Sequence, residues 1–147
     1  MTIYVKKASS PHEIQQCMAI RTKVFVEGQN VPINEEVDGK DKDSEHYLLL
    51  MNKQPAAVAR VRFIEQFAKI ERVAVLDEYQ GKGLGKEIMC KILADLHANK
   101  AVKFAKLSSQ THAIPFYEKL GFMVCSEEYM DANIPHKDMK LTFDPIA

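Results

Sequence analysis

Ile70-Glu71-Arg72-Val73-Ala74-Val75-Leu76 runs into Asp77-Glu78-Tyr79, then Gln80-Gly81-Lys82-Gly83-Leu84-Gly85-Lys86, and from there without a break to Leu96. The first part is apolar and β-branched and closes on polar residues, as a strand ending in a turn does. In the last part Leu84, Ile88, Met89, Ile92, Leu93 and Leu96 recur at helical spacing, with Lys86, Glu87, Lys91 and Asp95 on the other side. Between them, three glycines at alternate positions leave backbone N–H groups uncovered where the helix dipole is positive, which suits a phosphate. Two common phosphate loops do not fit. A P-loop needs four residues between its first Gly and the Gly-Lys pair, but Gly81 and Gly85 enclose three, and Glu87 follows Lys86 where Ser or Thr is required. The Rossmann fingerprint needs its third Gly where Lys86 stands.

Outward from this stretch, the 147 residues suit one domain spanning 1–147 that buries a core without covalent staples. Lys plus Arg and Asp plus Glu balance at 20 each, which removes the charge footprint of a nucleic-acid binder and any pull toward an anionic membrane. No window approaches the length of an apolar membrane span and the N-terminus does not read as a signal peptide, so a cytoplasmic location is expected. Cys17, Cys90 and Cys125 form no CxxC pair and read as small core residues, and the five histidines show no metal-ligand spacing.

Along the chain, Thr2 to Lys7 alternates as a strand. Ser10, Pro11 and Glu13 then supply an N-cap, a first-position proline and a capping-box glutamate for a helix that ends near Gly28. From Glu27 to Glu45 periodicity is lost and the chain turns acidic, with Glu27, Asp38 and Asp41 among its carboxylates. This reads either as a solvated loop or as a pocket wall for a cationic amine. Glu45–Asn52 and Pro55–Glu65 form a hairpin turning at Asn52-Lys53-Gln54, and a third strand, 67–76, completes an antiparallel meander. A new strand at 102–108 follows the central helix and must lie parallel to 70–76. A short helix, 113–120, carries Pro115 in its first turn and stops at Gly121. Strands at 122–126 and 137–143 close the chain.

Gln80-x-x-Gly83-x-Gly85 resembles the pyrophosphate-binding signature of the GNAT superfamily of N-acetyltransferases. Phe116-Tyr117-Glu118-Lys119-Leu120-Gly121-Phe122, on the next helix of the same unit, resembles the superfamily's second signature. A finer resemblance is to its ElaA-like branch. It rests on Arg21 with Val24-Phe25-Val26-Glu27, Asp38-x-x-Asp41 with His46, Arg72-Val73-Ala74-Val75, and Ile134-Pro135-His136 with Met139, although Gly28 separates Glu27 from Gln29 here.

The resemblance implies an α/β (α+β) fold. Its mixed, mostly antiparallel sheet of about six to seven strands has a splayed parallel pair and about four flanking helices. It also implies acetyl-CoA as cofactor. Backbone groups around Val73, Ala74 and Val75 would pair with the pantetheine arm, and N–H groups across Gly81, Lys82, Gly83, Leu84, Gly85 and Lys86 would take the pyrophosphate. Gln80, Gln110, Phe116 and Tyr117 would border the cofactor. The reaction implied is transfer of acetyl from acetyl-CoA directly to a primary amine of a small molecule or peptide. No nucleic-acid or membrane partner is expected, and a homodimer is compatible with the family. Two alternatives stand beside this: a CoA-binding regulatory domain without turnover, and an acyltransferase using another donor or acceptor.

Such a transfer needs a base for the amine and an acid for the departing thiolate. Tyr117 suits the acid, since a phenol titrates near an alkyl thiol. For the base Glu71, His136, Asp38, Asp41, His46 and a water chain stay open. Without a bulge, Glu71 would share the face of Val73 and Val75. Glu27, Asp38, Asp41, His46 and Arg72 are the candidate acceptor-side residues.

Overall fold

The computed structural model describes residues 2–144. Eight strands form one sheet: β1 (Ile3–Ala8), β2 (Glu45–Met51), β3 (Gln54–Ile64), β4 (Phe67–Val75), β5 (Phe104–Gln110), β6 (Met123–Val124), β7 (Tyr129–Asp131) and β8 (Ile134–Thr142). Their spatial order is β1-β2-β3-β4-β5-β8-β6, with β7 also paired to β8. All pairings are antiparallel except β4 with β5. The four α-helices are α1 (Pro11–Arg21), α2 (Ile33–Glu36), α3 (Leu84–Ala98) and α4 (Ile114–Lys119). No described helix is long and apolar enough to cross a membrane.

Local sequence accounts for most of these elements. Ser10 caps α1 through the Glu13 N–H while the Glu13 carboxylate returns to the Ser10 N–H, so the capping box forms as the sequence requires. The helix continues through a π-helical segment, Thr22–Glu27, as far as the expected stop. At the β2–β3 turn Asn52 and Lys53 both adopt positive φ, 50° and 70°, the conformation a two-residue hairpin demands. On α3 the predicted stripe is buried at Leu84, Ile88, Met89, Ile92 and Leu96, each worth about 2 kcal/mol in transfer from water.

That stripe meets alternate residues of the sheet, Ala57, Ala59, Val61, Ala68, Ile70, Ala105, Leu107 and Met139, to make the larger core. The opposite face carries a smaller core in which Cys17 and Ile20 of α1 pack on Leu48, Val58 and Ala74. Helix α3 therefore covers one face and α1 the other.

Four features differ from the sequence-based expectation. The sheet has eight strands rather than six or seven, because 129–131 folds back on β8 through Ala132 and Asn133 at φ 51° and 61°, without a glycine to announce the turn. The acidic segment is not featureless: it contains α2 and a 3₁₀ turn at Asp41–Asp43. The strand after α3 is shifted toward Gln110. Of the cysteines only Cys17 is buried, while Cys90 and Cys125 are exposed.

Candidate active site

The site begins where β4 and β5 part. Their parallel register runs from Phe67 opposite Phe104 to Ile70 opposite Leu107 and then ends. Past that point Glu71–Val75 stays paired with β3 only, and Ser108–Gln110 with β8 only. The gap is a cleft of about 630 Å³, of small-molecule size.

A bulge in β4 sets what faces the cleft. Arg60 pairs with Glu71 and Val58 with Ala74, so Arg72 and Val73 together oppose Ala59, and Arg72 takes φ 56°. The bulge reverses the alternation. Ala68 and Ile70 point to the α3 side, as do Val73 and Val75, whereas Glu71 points with Arg60 and Ala74 to the α1 side. Glu71 therefore does not share the face of Val73 and Val75, contrary to simple period-two reading.

At the α3 end of the cleft lies the glycine turn. Gln80 donates to the Val75 carbonyl and to Asp77, tying the turn to the end of β4. Gly81 and Gly83 adopt φ 78° and 77°, conformations that other residues take only with strain, and a Cβ on either would meet open space. Gly83 is the N-cap of α3, so the first-turn N–H groups of Leu84, Gly85 and Lys86 have no partner within the helix. At Gly85 a Cβ would sit 3.3 Å from the Phe116 ring, which locks α4 against the turn. Gln80 and Gly85 line the cleft, while Gly81, Lys82 and Gly83 are exposed and outside its lining.

Tyr117 lines the same cleft from α4, on the α3 side of the sheet, edge-on to Phe116 and Phe122 at 4.9 and 6.0 Å between ring centroids. Burial pushes its phenol up to about 12, so it is protonated at neutral pH. On the opposite face, reached from β8, His136 is buried and places Nδ1 2.7 Å from the Ile134 carbonyl. A carbonyl only accepts, so Nδ1 carries the proton and a neutral ring keeps a lone pair on Nε2.

The remaining predicted carboxylates are engaged elsewhere. Arg21 and Arg60, both fully buried, organise a cluster beneath α2. Arg60 grips Asp38 with two nitrogens at 2.9 and 2.8 Å, reaches Asp41 at 3.0 Å and Glu71 at 3.0 Å. Arg21 holds both oxygens of buried Glu36 and donates to Asp41 at 2.6 Å. Arg72 donates to the Glu35 and Glu36 carbonyls and lies 2.6 Å from the Glu36 carboxylate. Arg60 hydrogen bonds hold Asp38 well below the ordinary carboxylate range. Burial would raise Glu71, but the hydrogen bond from Arg62 and the charges of Arg60, Arg62 and Lys69 outweigh it and hold it low. At Asp41 burial likewise pushes upward, and the hydrogen bonds and charges of Arg21 and Arg60 outweigh it and hold the carboxyl low. His46 is buried with Nε2 on the Asp41 carbonyl, and Glu27 is exposed. Asp38, Asp41, His46 and Glu27 do not line the cleft; Glu71, Arg72, Gln110 and His136 do.

A family model for the acetyltransferase (GNAT) domain matches residues 8–143. This chain belongs to the GNAT acetyltransferase family. The GNAT domain is 37% identical over 133 residues to the uncharacterized N-acetyltransferase YjcF of Bacillus subtilis, covering 90% of this chain and 94% of that one. It is 29% identical over 135 residues to protein ElaA of Escherichia coli, covering 88% of each. The crystal structure of E. coli ElaA superposes with a TM-score of 0.85 over 95% of this chain and 99% of that one. The same fold, at 13% identity and a TM-score of 0.71, occurs in a GNAT acetyltransferase of Elizabethkingia anophelis crystallised with acetyl-CoA, the alignment covering 96% of this chain and 98% of that one.

Of the side chains that line this GNAT cleft, the sequence pointed to Gln110 but not to Gln29, Ser108, His112 or Tyr129. Gln110 donates across it to Gln29 at 2.9 Å and approaches His112 at 2.7 Å. Ser108 and Tyr129 are hydrogen-bonded to one another, and Tyr129 stacks on His136 with centroids 6.1 Å apart. Alternation along β5 places Ser108 and Gln110 on one face, but the sequence-based strand ended at 108, and nothing in the sequence revealed that β7 exists to bring Tyr129 there.

Proposed function

We propose that this GNAT domain is an acetyl-CoA-dependent N-acetyltransferase that passes acetyl directly to the primary amine of a small molecule or peptide. The observation that carries this reading is the position of Tyr117 and His136 on opposite faces of the sheet, both opening into the gap between β4 and β5. The N–H groups from Gly81 to Lys86 would hold the pyrophosphate, with Lys82 and Lys86 adding charge, and the free edge of β4 at Val73–Val75 would pair with the pantetheine arm, leaving the thioester to the gap. His136 Nε2 would take the proton of an amine approaching from the α1 side as the amine nitrogen bonds to the thioester carbonyl carbon and the carbon–sulfur bond breaks. Tyr117 would protonate the departing thiolate from the α3 side. We assign the base to His136 rather than Glu71, whose arginine-bound carboxylate is a weak proton acceptor.

No cysteine lines the cleft, and burial raises the Cys17 thiol to about 11, so no acyl-enzyme forms. Screening amines, amino acids and peptides with acetyl-CoA while following thiol release tests the assignment. Initial-rate lines that intersect are expected. Parallel lines, or acetyl label trapped on a cysteine, overturn direct transfer; CoA binding without turnover on any amine favours a regulatory domain instead.

A further inference from the structure

On the α1 side of the cleft three hydroxyl and carboxyl groups form a chain of fixed direction. Ser108 on β5 and Asp138 on β8 are register partners, and Tyr129 on β7, partnered with His136, reaches diagonally to both. The Tyr129 hydroxyl lies 2.6 Å from the Asp138 carboxylate and is also hydrogen-bonded to the Ser108 hydroxyl. An ionised carboxylate only accepts, so the Tyr129 proton is committed to Asp138. The Tyr129 oxygen then accepts from Ser108, and the Ser108 proton is committed in turn. What Ser108 presents to the cleft is therefore an oxygen able to accept and unable to donate.

We infer that the Ser108–Tyr129–Asp138 chain is the acceptor-recognition element of this site and selects a primary ammonium group carried on an apolar body. The inference rests on the transferase reading and adds the class of its second substrate. An N–H donor satisfies the Ser108 oxygen, while a group that can only accept meets lone pairs on both sides. Two further carboxylates line the same cleft, Glu35 on α2 and Asp131 on β7; both are exposed and neither forms an ion pair among the described residues. They supply a field for a cation that Asp38 and Asp41, bound by arginines, do not. Val24, Phe25 and Val31 line the wall that would receive the apolar body. The neighbouring His136 stacks on the Tyr129 ring, so a nitrogen held by Ser108 is presented on the face of the sheet that carries the proposed base.

The test uses phenethylammonium and its N,N,N-trimethyl derivative as probes, equal in charge and differing in N–H donors, titrated into the CoA-bound protein and followed by backbone amide NMR shifts. Wild type is expected to bind the primary ammonium about ten-fold more tightly than the trimethyl form, the ratio one hydrogen bond to a charged group provides. Tyr129→Phe keeps the ring on His136 but cuts the chain, and Ser108→Ala removes its cleft end. Ser108→Ala should abolish the preference, Tyr129→Phe should reduce it because the freed Ser108 hydroxyl can then donate as well as accept, and the double variant should lose no more than Ser108→Ala alone, since the groups act in series. Tyr129→Phe should leave the dissociation constant of CoA unchanged. An unchanged preference in both variants, or no preference in wild type, including absence of binding by either probe, overturns the inference. Failure of CoA itself to bind overturns the transferase reading instead.

Discussion

Tyr117 and Gly83 carry the sharpest expectations for single side chains. Removing a proton donor that acts only as the thiolate leaves should lower turnover without loosening the ground state, so Tyr117→Phe is expected to reduce kcat by roughly two to three orders of magnitude with the acetyl-CoA KM nearly unchanged. Steady-state rates at saturating amine measure this, and wild-type turnover would return Tyr117 to a packing role between Phe116 and Phe122. At Gly83 backbone and charge are separable. Its φ of 77° favours Gly or Asn and the space around it is open. Gly83→Asn should then retain CoA binding to within a few-fold, whereas Gly83→Glu sets a carboxylate where the pyrophosphate would lie and should abolish it. Calorimetric titration of CoA into both variants decides between a phosphate turn and a plain helix cap.

At the scale of elements, α1 offers a control that should move stability and nothing else. Its capping box lies at the N-terminal end of the helix, whereas the cleft-lining residues Val24 and Phe25 lie in the π-helical segment beyond its other end. Ser10→Ala should cost about 1 kcal/mol and lower the melting temperature by roughly 2–4 °C in a chain of this size, with unchanged KM for both substrates. A thermal melt and one saturation curve check it. This helix, the α3 stripe and the β2–β3 turn were readable in the sequence because each is specified by residues within one or two turns of one another. Helix α2, strand β7 and the bulge at Arg72 were not. Arg72 and the Ala132-Asn133 pair hold positive φ without glycine, so local chemistry gave no sign and only tertiary partners impose the conformation. The bulge is also why the glycine turn and the place of Tyr117 on the cleft could be read from spacing while the face of Glu71 could not. One extra residue reverses every orientation beyond it. Asp38 and Asp41 were visible as acidic loop residues, but their arginine partners come from α1, β3 and β4, too far along the chain for a motif to register.

Those partners tie the whole molecule together, since Arg21, Arg60, Arg62 and Arg72 bind Glu36, Asp38, Asp41 and Glu71 across α1, α2, β3 and β4. The cluster fixes the acidic segment as one wall of the cleft, so fold stability and site geometry depend on the same charges. Asp38, Asp41 and Glu71 are all depressed in the folded chain. Below the ordinary carboxylate values the unfolded chain therefore binds protons that the folded one does not. The stability these groups contribute is complete above about pH 5 and is lost as pH falls through 4 toward their folded values. Arg60→Met removes the cation at the centre and leaves three carboxylates facing one another. At pH 7 this should cost about 3–5 kcal/mol, the loss expected when one partner of a buried ionic group is removed. The deficit should shrink as pH falls from 5 toward 3, because protonation relieves the repulsion in the variant while it weakens the wild type. Urea unfolding of both proteins across that range measures the two curves. A deficit constant with pH would mean that Arg60 acts by filling space and that the arginine–carboxylate cluster does not set the acid sensitivity of the fold.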